Sequence, residues 1–81
     1  MNVNMKMPDL SATEGSEIKI LKWLVEVDAS VERGQIILEV ETDKAVQEIE
    51  CFVAGRLSAK HVEANDLVAV GQLIATIEVR K

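Results

Sequence analysis

The sequence predicts an all-β domain, a sandwich or flattened barrel of about eight short strands whose two halves cover each other's apolar faces. An internal repeat is the first observation behind this. Residues 32–41, ERGQIILEVE, lie over residues 69–78, AVGQLIATIE, at a constant offset of 37. Gly34 meets Gly71, Gln35 meets Gln72, Ile37 meets Ile74 and Val40 meets Ile77; further back, Val31, Val25 and Glu26 meet Val68, Val62 and Glu63. A solenoid needs about three copies, so two copies of short strands point to a pseudo-twofold domain. The second observation is period-2 alternation in segments rich in Val and Ile. The third is composition: 48% of the residues are hydrophobic, yet the aromatics are only Trp23 and Phe52. The core must then come from Val, Ile, Leu and Ala, of which the first two favour strands.

In chain order, the strand signals are IKILKWLVEV (18–27), IILEVET (36–42), VQEIECFV (46–53) and LIATIEV (73–79). Turn residues separate them: Asp28-Ala29-Ser30, Arg33-Gly34, Ala54-Gly55, Asn65-Asp66 and Val70-Gly71. Gly34, Gly55 and Gly71 are expected to supply turn backbone, and no Gly-rich phosphate loop accompanies them. No segment carries a helical stripe over three turns. The offset also finds the joint between the halves. Adding 37 to Lys44 gives Lys81, and subtracting 37 gives Met7. The twofold therefore places Lys44 at one end of the domain and both termini at the other.

The 81 residues are expected to form one small domain, 1–81, trimmed close to its edges. Net charge is −5, which argues against nucleic acid and anionic membranes as partners and suits a basic protein face. Cys51 is the lone cysteine, so no internal disulfide forms. No run approaches the roughly 18 apolar residues of a membrane span. MNVNMKMPDL has no apolar h-region and is not expected to act as a signal peptide. Neither a metal site nor a nucleophilic catalytic site is expected. His61 and Cys51 are too few ligands for a metal, and Cys51 groups by alternation with Gln47 and Ile49 as a buried apolar residue. Trp23 reads as partly buried sheet packing.

The chemistry-bearing stretch is EVETDKAVQEIE, residues 39–50. Five carboxylates, Glu39, Glu41, Asp43, Glu48 and Glu50, surround Lys44. An exposed lysine among acids is ordinarily just a solvated side chain. Here, however, it alone interrupts an acidic hairpin at the centre of a repeat.

ETDKA at a hairpin tip resembles the attachment site of lipoyl domains, found in the acyltransferase component of 2-oxo acid dehydrogenase complexes. The resemblance spans nearly the whole chain. MPDL (7–10) is similar to the family's first strand, TEG (13–15) to the loop after it, and ILKWL (20–24) to the second strand. GQIILEVETDKA (34–45) is the most specific part, and GRLSAKHVEAND with VGQLIATIEV resembles the second half. Asp28-Ala29 stands where the family usually has Gly-Asp. The loop after Pro8 is also shifted, SEIKI following Gly15 where the family reaches the Trp sooner. In the family this loop helps the decarboxylase recognise the domain.

The resemblance implies two four-stranded antiparallel sheets with pseudo-twofold symmetry. It implies lipoate in amide linkage on Lys44, flanked by Asp43 and Ala45. It also implies a non-catalytic carrier excised from an acyltransferase chain. The implied partners are a lipoate ligase or lipoyl transferase, a thiamine-dependent decarboxylase, the acyltransferase core and dihydrolipoamide dehydrogenase. The cofactor carries the chemistry, and the domain presents it as a swinging arm on a flexible tether. DKAVQEIE and MPDL lean toward the pyruvate or acetoin complexes. The implied compartment is bacterial cytoplasm, or the mitochondrial matrix in a eukaryote, and the isolated domain is expected to be a monomer. Other readings fit the residues less well, among them the glycine-cleavage carrier protein, which is also lipoylated but resembles this chain less and is longer. A biotin carrier has the same fold, but its signature puts methionines on both sides of the lysine, where this chain has Asp43 and Ala45. An unmodified interaction module would share the fold and leave Lys44 bare.

Overall fold

A computed structural model describes residues 1–9 and 17–79. Leu10, the TEG stretch, Ser16 and Lys81 lie outside the described residues. The strands are β1 (Asn2–Lys6), β2 (Ile18–Trp23), β3 (Ser30–Val31), β4 (Ile36–Glu41), β5 (Val46–Glu50), β6 (Gly55–Lys60), β7 (Leu67–Val68) and β8 (Leu73–Glu78). They build two antiparallel four-stranded sheets, in the orders β1-β8-β6-β3 and β5-β4-β2-β7. Advancing every strand by four positions turns the first order into the second, which is the pseudo-twofold in its simplest form.

Strands β2, β3 and β4 map onto β6, β7 and β8 at the expected offset of 37, but β1 maps onto β5 at 44. The difference lies in the connections: eleven residues (7–17) join β1 to β2, whereas four (51–54) join β5 to β6. Met7 is therefore the counterpart of Cys51, and its expected equivalence to Lys44 is corrected. The backbone shows the true pairing. Met7 N–H donates to Gln72 O at 2.9 Å and its carbonyl accepts from Gly71 N–H at 2.8 Å. Cys51 does the same with Gln35 at 2.8 Å and Gly34 at 2.7 Å.

MPDL is not the first strand. β1 precedes it, pairing with β8 through Asn2–Lys6. Pro8, which has no N–H to give a ladder, lies just beyond the strand. The other strands are shorter than the apolar runs that announce them, because the chain turns while still hydrophobic. β2 stops at Trp23, and residues 24–29 lead into a turn in which Asp28 has φ 77°. Its mate Asn65 has φ 76°. Left-handed backbone is best tolerated by Gly, Asn and Asp, so Asp28 and Asn65 make matching turns. Gly34 and Gly71, both with φ 87°, are the second matched pair of turns.

The core is paired across the twofold as well. Met5 with Ile49, Met7 with Cys51, Ile20 with Leu57, Val31 with Val68, Ile37 with Ile74, Leu38 with Ala75 and Val40 with Ile77 are all buried. Each large aliphatic buried here contributes about 1.5–3 kcal/mol. Trp23 packs at the margin of this core, as expected, with Nε1–H donating to Val62 O at 3.1 Å and the Lys60 ammonium 5.0 Å from its ring centre.

One glycine departs from the expected role. Gly55 opens β6, and a Cβ built on it would lie 2.2 Å from the Glu78 carbonyl oxygen. Close backbone approach, and not a turn, requires glycine there. Its twofold mate is Ile18, fully buried in the core.

Candidate functional site

Residues 42–45 connect β4 to β5 and join the two halves of the domain. Glu41 pairs with Val46, and Thr42 N–H donates to Ala45 O at 2.9 Å, leaving Asp43 and Lys44 as a two-residue tip. The tip is unusual for its length. Two-residue hairpins favour turns with positive φ at one or both central residues, because those turns follow the twist of the strands. Neither Asp43 nor Lys44 has positive φ.

The Thr42 side chain compensates. Its Oγ1 accepts from Lys44 N–H at 3.2 Å and Ala45 N–H at 3.3 Å, and donates to Ala45 O at 3.1 Å. A hydroxyl has one proton and two lone pairs, and all three are used here. Thr42 is 8% exposed and is the one buried polar side chain among the described residues. Asp43, Lys44 and Ala45 are all exposed.

The structure puts Asp43 and Lys44 on the tip with Ala45 closing it; the sequence does not single out Thr42. The available signal was the habit of Ser and Thr of bonding backbone two or three residues on. Of the other described lysines, Lys6, Lys19, Lys22 and Lys60 lie on strands. Lys44 is the one described lysine that stands on a turn.

The face beside the tip is acidic. On the outside of β4 and β5, Glu39 and Glu48 are direct cross-strand partners, with Lys22 opposite Glu39 on the far side and Lys19 opposite Glu41. Like charges directly opposite are unfavourable for a sheet. The twofold-related positions are Thr76 and Asn4, joined by a 3.3 Å hydrogen bond from Thr76 Oγ1. His61 reaches the same Thr76 hydroxyl at 2.8 Å and is exposed. Arg56 binds both Asp28 and Glu78 across the corresponding row, the Glu78 contact measuring 3.3 Å.

Cys51 is 1% exposed, its thiol donating to Val53 O at 3.1 Å, a structural position as expected. Among the described residues no cluster of three metal-ligating side chains occurs. An open groove of about 350 Å³ lies where the edge strands β1 and β5 face each other, with Met5 and Ile49 on its floor. It belongs to the far half of β5 and does not reach the tip.

Comparison with known proteins follows the same lines. The family model described as "Biotin-requiring enzyme" (Biotin_lipoyl) matches residues 3–77. The chain is 42% identical over 78 residues to the dihydrolipoyllysine-residue acetyltransferase component of the Zymomonas mobilis pyruvate dehydrogenase complex. That match covers 95% of the chain and 18% of the relative. It is 41% identical to the lipoamide acyltransferase component of the Pseudomonas aeruginosa branched-chain alpha-keto acid dehydrogenase complex, covering 93% of the chain and 17% of the relative. It is also 41% identical to the succinyltransferase component of the Staphylococcus saprophyticus 2-oxoglutarate dehydrogenase complex, covering 90% and 17%. The chain thus spans less than a fifth of the length of these relatives. Its fold is that of the solution structure of the lipoyl domain of the Azotobacter vinelandii 2-oxoglutarate dehydrogenase complex, with TM-score 0.76, 23% identity and coverage of 94% and 95% of the two chains.

Proposed function

For a chain that belongs to the biotin- and lipoyl-attachment family, we propose that Lys44 is the attachment point and that lipoate is the group attached. The carrying observation is the placement of Lys44. It is exposed, and it stands on the turn that joins the halves. A primary amine that must meet a ligase and several separate active sites needs such a place. The hairpin strands hold the turn still while leaving the amine outside.

The residues present fit lipoate. An aliphatic amine reachable from solvent is all that amide formation requires, and Asp43 and Ala45 flank it in place of the methionines of biotin carriers. When bound, lipoate supplies a strained cyclic disulfide, which is more readily opened than an ordinary one. The chain's own part is to carry and present. Glu39, Glu41, Asp43, Glu48 and Glu50 give the neighbourhood a negative field that speeds encounter with basic partner faces more than it tightens binding.

In the same reading the parent chain is an acyltransferase of a 2-oxo acid dehydrogenase complex. Its partners are a lipoate ligase or lipoyl transferase, a thiamine-dependent decarboxylase and dihydrolipoamide dehydrogenase. Relatives from pyruvate, branched-chain and 2-oxoglutarate complexes stand at 42%, 41% and 41% identity, and DKAVQEIE with MPDL leans slightly toward the pyruvate or acetoin type. The test is the intact mass of the domain after incubation with lipoate ligase, lipoate and ATP. One lipoyl increment located at Lys44 by peptide mapping supports the reading. No lipoyl increment, or a biotinyl increment in a parallel incubation with biotin ligase, biotin and ATP, overturns it.

A further inference from the structure

We propose that Thr42 is a positioning residue for acylation of Lys44. Its hydroxyl fixes the direction in which the lysine leaves the hairpin, and the modifying enzyme reads that direction. The inference rests on Lys44 being the attachment site. It concerns what the chain does before any cofactor is present.

Two independent observations support it. The first is the set of three hydrogen bonds from one hydroxyl, to Lys44 N–H, Ala45 N–H and Ala45 O, at 3.2, 3.3 and 3.1 Å. Through them a tip without positive φ has both of its forward amides held. The bond to Lys44 N–H acts on the residue to be modified, restraining its backbone and hence the axis along which its side chain departs.

The second observation is a control built into the fold. The twofold mate of Thr42 is Val79 and that of Ala45 is Met1. Val79 N–H donates to Met1 O at 2.8 Å, as Thr42 N–H does to Ala45 O at 2.9 Å. The same closure is therefore made at the opposite end with an isosteric side chain that has no hydroxyl. Val79 and Met1 are not joined by a turn, so the strand-end pairing itself does not require the hydroxyl, and what the Thr42 hydroxyl serves is the tip. What distinguishes the two ends is that one of them bears Lys44.

The step concerned is amide formation. The Lys44 ammonium first loses a proton to solvent. The free Nζ pair then attacks the carbonyl carbon of an activated acyl donor, a mixed anhydride or a thioester. The new C–N bond replaces the bond from that carbon to the leaving group, which departs with the bonding pair, and nitrogen releases a second proton. Attack needs the amine within a narrow cone at the donor carbonyl. A tip that wanders lowers the fraction of encounters that satisfy this.

The experiment is the initial rate of ligase-catalysed lipoylation, read by intact mass, for the wild type, Thr42→Val, Thr42→Ser and Lys44→Arg. Alongside it runs acylation of Lys44 by a small N-hydroxysuccinimide ester, followed by peptide mapping. Thr42→Val is expected to lower ligase kcat/KM about tenfold, as for loss of about one net hydrogen bond. Thr42→Ser should return it to within about twofold of the wild type. The small reagent, which reads exposure and not direction, should label Lys44 alike in all three. Equal ligase rates for Thr42→Val and the wild type overturn the inference while leaving Lys44 as the site. Thr42→Ser as slow as Thr42→Val also overturns it. Full modification of Lys44→Arg instead overturns the attachment reading itself. Should Thr42→Val fail to fold, amide exchange of the wild type decides: Lys44 and Ala45 amides exchanging as fast as an unstructured peptide would refute the restraint.

Discussion

The two ends of this domain share a backbone and differ in side chains. At one end Thr42 closes on Ala45 around Asp43 and Lys44; at the other Val79 closes on Met1. Neighbouring rows diverge in the same way. Glu39 and Glu48 face each other on one sheet, where Thr76 and Asn4 share a hydrogen bond on its twofold mate. A fold that is built equally well with a neutral pair has no need of opposed carboxylates. Features repeated in both halves, such as the turns at Gly34 and Gly71, belong to folding. Features found in only one half, such as Thr42, Lys44 and the acidic row, are where function is to be sought.

The severest way to break this comparison is to remove the lysine. Lys44→Arg keeps charge and length, and the lipoyl mass increment is expected to vanish entirely; labelling of another lysine would show that the hairpin end is not special. Moving the amine by one residue comes next. The double change Asp43→Lys with Lys44→Asp keeps the composition of the tip but alters the direction of the side chain, and should leave only a trace of modification. Asp43→Asn should retain most of it, because exposed charge is screened beyond about 8 Å at physiological salt. The reverse ranking would make recognition electrostatic.

A third change probes a place where the halves disagree for a structural reason. Gly55→Ala drives a Cβ to 2.2 Å from the Glu78 carbonyl. We expect about 3 kcal/mol of destabilisation in denaturant unfolding, with the ligase rate of the still-folded fraction unchanged. A neutral result would mean that β6 and β8 move apart freely. The smallest expected effect is that of the modification itself. Lys44 is exposed and its arm adds little apolar burial, so the unfolding midpoints of modified and unmodified domain should coincide within error. A clear rise would place the arm on the protein surface.

Much of this organisation was legible in the sequence, and the limits have physical causes. The repeat can be read because both copies carry the same residues where the fold demands them, Gly34 with Gly71 at a positive φ and Ile37 with Ile74 in the core. The pairing of β1 with β5 cannot. NVNMK and VQEIE share no residue at matched positions, only a burial pattern in which the fourth residue alone is fully buried. The shift from 37 to 44 is hidden with it, which is why a constant offset pairs Met7 with Lys44 and not with Cys51. Lys44 stood out by charge contrast. Thr42 did not, because a hydroxyl that serves its own turn leaves no periodicity and no charge to notice. Gly55 looked like a turn residue, since sequence gives no hint that a carbonyl from Glu78 approaches so closely.

The hydrogen bond from Val79 to Met1 makes the chain, topologically, a ring with one cut. Met1 and Val79 lie side by side as neighbours at the end of an antiparallel ladder, where strands run about 4.8 Å apart. A polypeptide arranged in this way can be spliced into a surface loop of another protein as readily as it can be strung between two linkers, because the way in and the way out occupy one spot. The cut itself is also movable in principle. Sealing it with a short turn and opening the chain at 51–54 would leave every ladder intact, with Lys44 still on its closed hairpin.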